Sequence, residues 1–179
     1  MPRRLSPASG VWHAEAMVDV PDVLDLTAPQ YRVLGCLMEK QATTPEAYPL
    51  TLKALTTACN QTSSRHPVVD YDTQLVETTA LALKGKGLVR VVHPAHGERA
   101  TRYRHVADEA LGLDDAARAV IAVLLLRGPQ TVAELRSRTE RQHPFASLDE
   151  VEATLAALAG GTRPMAAQLE RQPGQKEPR

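Results

Sequence analysis

Two histidines at metal-ligand spacing are the first residues that could do chemistry. His93 and His96 lie three residues apart in His93-Pro94-Ala95-His96, and two imidazoles at this spacing can share a metal ion. The segment is typical of a turn, it has no nearby cysteine, and Glu98 is its one close acid. Two imidazoles and one carboxylate in a turn are a weak ligand set, so we predict that no metal is bound.

The other reactive residue types also fail to form a catalytic pattern. Cys36 and Cys59 are the two thiols, neither has a CxxC partner, and both fall on apolar faces of predicted helices, which favours small core residues. The run 84–87, Lys-Gly-Lys-Gly, lacks the GxxxxGK[ST] spacing of a phosphate-binding loop. The sequence therefore predicts no enzyme and no cofactor, and the low cysteine content favours the reducing cytoplasm.

Charge is balanced over the chain but unevenly placed. Lys and Arg total 21, as do Asp and Glu, which excludes a globally basic nucleic-acid binder. Residues 27–106 nevertheless carry a net charge of +4, and residues 84–105 hold six basic side chains against Glu98 alone. These six are Lys84, Lys86, Arg90, Arg99, Arg102 and Arg104.

The elements that would position this basic stretch are three helices and a hairpin. Thr27, which forms a capping box with Gln30, begins the first helix, and Thr51 and Asp72 begin the next two. Residues 88–92 and 100–106 follow as strands around a turn, with Arg102 and Arg104 on one face of the second strand. This order is typical of a winged helix-turn-helix domain. The expected buried face of the third helix is Leu75, Val76, Ala80 and Leu83.

The second half repeats the order of the first. Helices are predicted after Asp114, Thr131 and Ser147, the last two with capping boxes, and a strand is predicted at 165–169. The predicted fold class is mainly α with small β-hairpins (α+β), as two tandem winged helix-turn-helix domains at 26–107 and 108–179. The final wing strand of the second domain is missing from this prediction, because the sequence ends at Arg179.

Residues 1–25 differ in composition from the rest. They contain prolines and glycine without helical or strand periodicity, which predicts a disordered tail. No apolar core of a signal peptide follows Arg3 and Arg4, so we expect no export. Met17 is an alternative translation start in this interpretation. The longest apolar run, 119–126, is too short for a membrane span, and no membrane partner is expected.

Several contiguous strings resemble the YceH-like family of bacterial proteins. The resemblance covers about residues 26–177 and implies tandem winged-helix domains in a cytoplasmic protein, without an established activity. The strings are Cys36-Leu37-Met38-Glu39-Lys40-Gln41, Thr43-Thr44-Pro45-Glu46, Tyr48-Pro49-Leu50, Ala58-Cys59-Asn60-Gln61, residues 124–131 (LLLRGPQT) and Glu134-Leu135-Arg136.

The chain departs from that family pattern at two places. The loop 61–65 has Thr62 and Ser64 where the family usually carries Lys and Asn, which predicts a weaker phosphate contact there. The family also continues past the Pro173-Gly174 turn into an aromatic-containing strand that is not present here.

The leading functional hypothesis is a protein that binds double-stranded DNA, such as a transcriptional regulator. Winged-helix proteins commonly insert the third helix into the major groove and rest the wing on the backbone, so the basic stretch would contact phosphates. Thr73, Gln74 and Thr78 are the predicted base-edge residues, and Arg65 joins the six basic residues of 84–105 as a predicted backbone contact. The alternative for the basic hairpin is an ordinary solvated surface.

The second hypothesis is a scaffold for protein contacts or homodimerisation. The helix after Ser147 carries Asp149, Glu150 and Glu152 without a basic residue, which disfavours contact with phosphates. Arg136, Arg138 and Arg141 could touch DNA backbone or pair with neighbouring glutamates. Val120, Val123 and Leu124 are the predicted interface residues, with a wholly buried core helix as the alternative.

Overall fold

The computed structural model describes residues 11–13, 26–97 and 99–169, the first of these ranges by its backbone. Within these ranges the chain is a mixed α+β protein with seven α-helices and two three-stranded antiparallel sheets. None of the helices in the described ranges is long and apolar enough to cross a membrane.

The first half contains three of these helices and one complete sheet. The sheet has the order β2-β4-β3, so the strand that follows the first helix pairs with the returning strand of the hairpin. The elements are α1 (Ala28–Thr43), a 3₁₀ turn (Pro45–Ala47), β2 (Leu50–Thr51), α2 (Leu52–Cys59), α3 (Thr73–Gly85), β3 (Val89–Val92) and β4 (Arg102–His105), with β1 (Val11–His13) preceding them.

The second half repeats this order after a short connecting helix. Its sheet has the order β5-β1-β6. The elements are α4 (Ala107–Leu111), α5 (Asp115–Arg127), β5 (Gln130–Thr131), α6 (Val132–Thr139), α7 (Leu148–Gly160) and β6 (Ala167–Leu169).

The helix starts agree with the caps read from the sequence. Thr27 and Thr131 form complete capping boxes, because each hydroxyl accepts an N–H three residues later and the Gln30 or Glu134 side chain accepts the cap N–H in return. Ser147 accepts from Glu150 N, but the Glu150 carboxylate accepts from Ala146 N rather than from the cap residue. The predicted third capping box is therefore only half formed.

The two halves share one hydrophobic core. Helices α1 and α5 pack side by side, and their buried residues belong to a single cluster that also includes side chains of α2, α3, α6 and α7. Gly35 lies at the closest approach, where a Cβ atom would sit 2.9 Å from Leu126 Cγ. Val120, Val123 and Leu124 are at most 2% exposed in this core. Their predicted role in an intermolecular interface is therefore wrong, because they are buried within the chain.

A strand from the N-terminal segment completes the second sheet. Trp12 lies opposite Gln130 of β5 and Gln168 of β6, so β1 is the central strand. It pairs with β6 along all three of its residues. The prediction of a disordered tail fails for residues 11–13, because tertiary strand pairing supplies an order that local periodicity does not reveal; the other residues of the predicted tail lie outside the described ranges.

The contact at Gly35 predicts a strong size limit. Gly35→Ala should lower the free energy of unfolding by about 1–3 kcal/mol, because the added methyl group overlaps Leu126 and forces α1 away from α5. Gly160→Ala is the matched control: nothing lies within 4 Å of its Cβ position, so the usual helix preference for Ala should leave stability equal or higher. Urea unfolding measures both, and equal stability of the two variants would contradict the close-contact account.

Candidate nucleic-acid interface

Three arginines project from the outward face of the β3–β4 hairpin. In the register of this hairpin, Arg90 lies opposite Arg104, and Val92 lies opposite Arg102. Because side chains alternate along a strand, these arginines share the solvent face, while Tyr103 is buried on the other face. The predicted separation of the two faces of this strand is confirmed. We refer to Arg90, Arg102 and Arg104 as the outer arginine face.

One carboxylate bridges two of these arginines. Glu109 of α4 lies 3.2 Å from Arg90 Nη2 and 3.8 Å from Arg104 Nη2, which offsets the repulsion between like charges directly across the hairpin. Arg102 donates through Nη1 to the Pro49 carbonyl at 3.0 Å, which directs its side chain along the sheet. Three cations and one carboxylate leave this surface positive, and the exposed pairs are readily broken by competing phosphates.

Three further basic residues of the predicted site are also exposed. Lys84 in the last turn of α3 and Lys86 just after it are exposed, as is Arg99 in the turn between β3 and β4. Within the described ranges, no three His, Cys, Asp or Glu side chains are grouped closely enough to hold a metal ion. Cys36 and Cys59 are free thiols buried in the core, as predicted.

Helix α3 presents an exposed face that includes the predicted base-edge residues. Thr73, Gln74 and Thr78 are all exposed. Leu75 is also 39% exposed, so its predicted place in the buried face is wrong, and Thr79 is buried instead. The buried face of α3 is thus Val76, Thr79, Ala80 and Leu83, which shares three of its four residues with the predicted face.

The polar loop between α2 and α3 is fastened by side-chain hydrogen bonds. Asn60 Nδ2 donates to the Tyr71 carbonyl and Asn60 Oδ1 accepts from Tyr71 N, both at 2.8 Å, which closes the loop at its base. The buried Arg32 of α1 donates to the carbonyls of Cys59 and Pro67. His66 N donates to the Leu126 carbonyl at the end of α5. These bonds fix where α3 begins.

Arg65 is buried at the centre of this loop and does not reach a nucleic acid. Its Nη1 and Nη2 donate to Glu39 Oε1 and Oε2 at 3.0 and 2.6 Å. The other three N–H groups donate to the Ala58 carbonyl, the Ser64 carbonyl and Gln61 Oε1. A guanidinium has five N–H donors, and all five are used. The predicted phosphate contact by Arg65 is therefore wrong, because burial and complete pairing commit it to the interior.

A buried histidine supports the inner face of the hairpin. The backbone N–H of His105 donates to the Tyr48 hydroxyl at 2.8 Å, and its ring Nε2 contacts the side-chain oxygen of Gln41. Burial lowers the pKa of His105 from its ordinary value to about 4, although the carboxylate of Asp108 opposes the shift. Asp108 also accepts from Arg118 of α5 at 3.0 Å, which connects the hairpin region to the second half.

The arginines of the second half are largely occupied by the protein itself. Arg138 pairs with Glu134 at 3.2 Å, and Arg136 donates to the carbonyls of Phe145 and Ala146. The sequence left open whether Arg136 and Arg138 contact DNA or bond within the protein, and these contacts favour bonding within the protein. The first turn of α7 carries Asp149 and Glu150, which are exposed.

The Arg65 network predicts a large stability effect. Arg65→Met should lower the free energy of unfolding by about 3 kcal/mol or more, because it leaves the Glu39 carboxylate and two carbonyls without their donors. Adding Glu39→Gln should recover part of the loss, since the unpaired charge is removed. Urea unfolding measures both effects, with the exposed Arg163→Met as the control. A loss of stability below about 1 kcal/mol in Arg65→Met would contradict a structural role for the Arg65 hydrogen bonds.

The depressed pKa of His105 predicts acid sensitivity. The folded state keeps this imidazole neutral, so its contribution to stability is complete above the unfolded pKa of about 6.5 and is lost as pH falls through about 4. The free energy of unfolding should fall by up to about 3 kcal/mol over this window from His105 alone. His105→Asn should flatten the pH profile measured by urea unfolding from pH 7.5 to 4. An unchanged slope would assign the acid sensitivity to other groups.

Comparison with known proteins identifies the relatives of this chain. A UPF0502 protein of Geobacter sulfurreducens is 51% identical over 150 residues, covering 84% of this chain and 68% of the relative. UPF0502 proteins of Chromobacterium violaceum and Shewanella amazonensis are each 48% identical over 158 residues, covering 88% and 86% of this chain and 71% and 75% of the relatives. The family described as "Protein of unknown function, DUF480" matches residues 26–175. The chain therefore belongs to this bacterial family of unknown function.

Proposed function

We propose that each half of the chain is a winged helix-turn-helix unit. In the first half, a short strand between the first two helices pairs with a hairpin that follows the third helix, which is the arrangement expected of this motif. The second half has the same order of helices, with β1 in the place of the returning strand. This interpretation agrees with the resemblance to the YceH-like proteins and with the predicted domains at 26–107 and 108–179.

The first unit, in this proposal, binds double-stranded DNA. The observation that carries it is the outer arginine face on the hairpin that follows α3, together with the exposed side of α3. Helix α3 would enter the major groove with Thr73, Gln74 and Thr78 near the base edges, while the arginines contact the flanking phosphates. Glu109 would release its two arginines on binding, because exposed ion pairs contribute little free energy.

The second unit has a different role in this proposal. The exposed acids Asp149 and Glu150 at the start of α7 would repel a phosphate backbone, and Arg136 and Arg138 are already bonded within the chain. The second unit would therefore hold the first in place through the shared core. The whole is a binding protein of the bacterial cytoplasm rather than an enzyme, with regulation of transcription as its most direct use.

A protein partner is the second candidate, and the apolar side chains of α3 favour it. Leu75 and Leu81 are 39% and 48% exposed, and each lies three residues from the exposed Thr78, so the two leucines are about 120° apart around the helix. In this second candidate the two leucines contact a protein partner, and a second copy of this chain is one such partner. The same surface of α3 would serve either partner, so one experiment can decide between them.

The DNA proposal predicts a specific dependence on salt and on two arginines. Fluorescence anisotropy of a labelled random-sequence duplex should show binding whose log K falls with log salt at a slope of about −4 to −5, as expected for four to six phosphate contacts. Arg99→Ala with Arg102→Ala should weaken binding at least tenfold at low salt and reduce the slope by about 2. Circular dichroism checks that the hairpin remains folded without the Arg102–Pro49 hydrogen bond.

The matched control removes the same charge elsewhere. Lys53→Ala with Arg163→Ala changes two exposed basic residues outside the outer arginine face and α3, so the affinity and slope should change little. Equal weakening of DNA binding in both double variants would show that only the net charge matters. It would contradict the assignment of DNA binding to the outer arginine face. No binding at low salt, together with a dimer that dissociates in Leu75→Lys/Leu81→Lys by sedimentation, would favour the protein-contact candidate.

A further inference from the structure

A polar cavity lies between the two halves of the chain, outside the surface discussed above. Its volume is about 380 Å³, within the range of pockets that hold small molecules. The walls come from the end of α1, the loop after α2, the end of α5, and α6 with the residues that follow it. No residue of α3, β3 or β4 contributes to this lining.

The cavity is rich in positive charge. Its basic residues are Lys40, Arg127, Arg138 and Arg141, and Glu39 is its one acid. Both carboxylate oxygens of Glu39 accept from the buried Arg65, at 3.0 and 2.6 Å, and Lys40 lies 3.7 Å away. The single negative charge of the lining is therefore already matched by cations behind and beside it.

Arg127 is a cation of this lining whose side chain lacks a direct partner among the described residues. It is half-buried at the end of α5, and it makes no hydrogen bond or ion pair through its side chain with any residue in the described ranges. Burial, and then the neighbouring charge of Arg138, lower the pKa of Arg127, while the charges of Glu39 and Glu134 oppose the shift. Arg138 is itself held by Glu134 at 3.2 Å. An unpaired guanidinium beside another cation is unfavourable unless an anion joins it.

Serine hydroxyl groups and one further arginine also line the cavity. Ser63, Ser64 and Ser137 line the cavity, and their hydroxyls make no hydrogen bond to residues that the structure describes. Arg141 is exposed at the rim and likewise has no partner there. Guanidinium forks with hydroxyl donors match the several acceptor oxygens of a phosphate group.

We propose that this cavity binds a small phosphate-bearing molecule through Arg127 and Arg141. The volume admits a sugar phosphate or a mononucleotide, and the hydroxyls of Ser63 and Ser64 would bind the remaining oxygens. Because the walls come from both halves, the bound molecule would bridge them and stabilise their contact. The proposal does not depend on the DNA-binding function, since the two sites share no lining residue.

Isothermal titration with pyrophosphate and AMP, at constant ionic strength, tests the proposal. Both probes should bind, and citrate, an anion without phosphate, should bind at least tenfold more weakly. Arg127→Gln and Arg141→Gln should each weaken the two phosphate probes at least tenfold. Arg163→Gln removes an equal charge from an exposed position outside the lining and should leave their affinity unchanged.

Thermal unfolding without ligand separates a binding role from a structural one. Arg127→Gln should melt at the same or a higher temperature than the wild type, because a half-buried cation without a direct partner has been removed from beside Arg138. A lower melting temperature with unchanged probe affinity would assign Arg127 to the C-terminal dipole of α5 and overturn the proposal. Absence of probe binding, equal loss in Arg163→Gln, tighter binding of citrate, or displacement of AMP by duplex DNA would also overturn it.

Discussion

A guanidinium removed from water needs an acceptor for each of its five N–H groups, and Arg65 finds them on three parts of the chain. Its partners are the Glu39 side chain on α1, the Ala58 carbonyl on α2, and groups of the loop that follows α2. Breaking any one of them leaves a buried polar group unsatisfied, so the contacts hold or fail together. The loop that leads to α3 is consequently fixed in place, and the exposed face of α3 is set by an interaction in the interior.

The same interaction determines the electrostatics between the halves. Since Arg65 neutralises Glu39, the one acid of the cavity lining, Arg127 and Arg141 form no ion pair with it. The contact of α1 with α5 at Gly35 brings those cations together from separate parts of the sequence. The positive hairpin and the positive cavity thus differ in origin: alternation along one strand produces the first, and packing of two helices produces the second.

Features that depend on near neighbours in sequence could be predicted, and features that depend on packing could not. Thr27 and Thr131 specified helix starts, and the two faces of β4 followed from its alternation. In the sequence, Arg65 resembles any arginine in a polar loop, because its partner Glu39 lies on α1, distant along the chain. The exposure of Leu75 and the unpaired state of Arg127 also depend on which helix faces are covered. DNA contact by the outer arginine face stays a prediction.

The central position of β1 determines when the second sheet can form during synthesis of the chain. Its partners β5 and β6 are translated long after it, so the second sheet cannot close until nearly the whole described chain has left the ribosome. The two open edges that await β1 are, until then, templates for any other extended segment. Early capture of β1 from a neighbouring nascent chain would join two molecules by exchange of this strand, so its timely return protects the fold from misassembly.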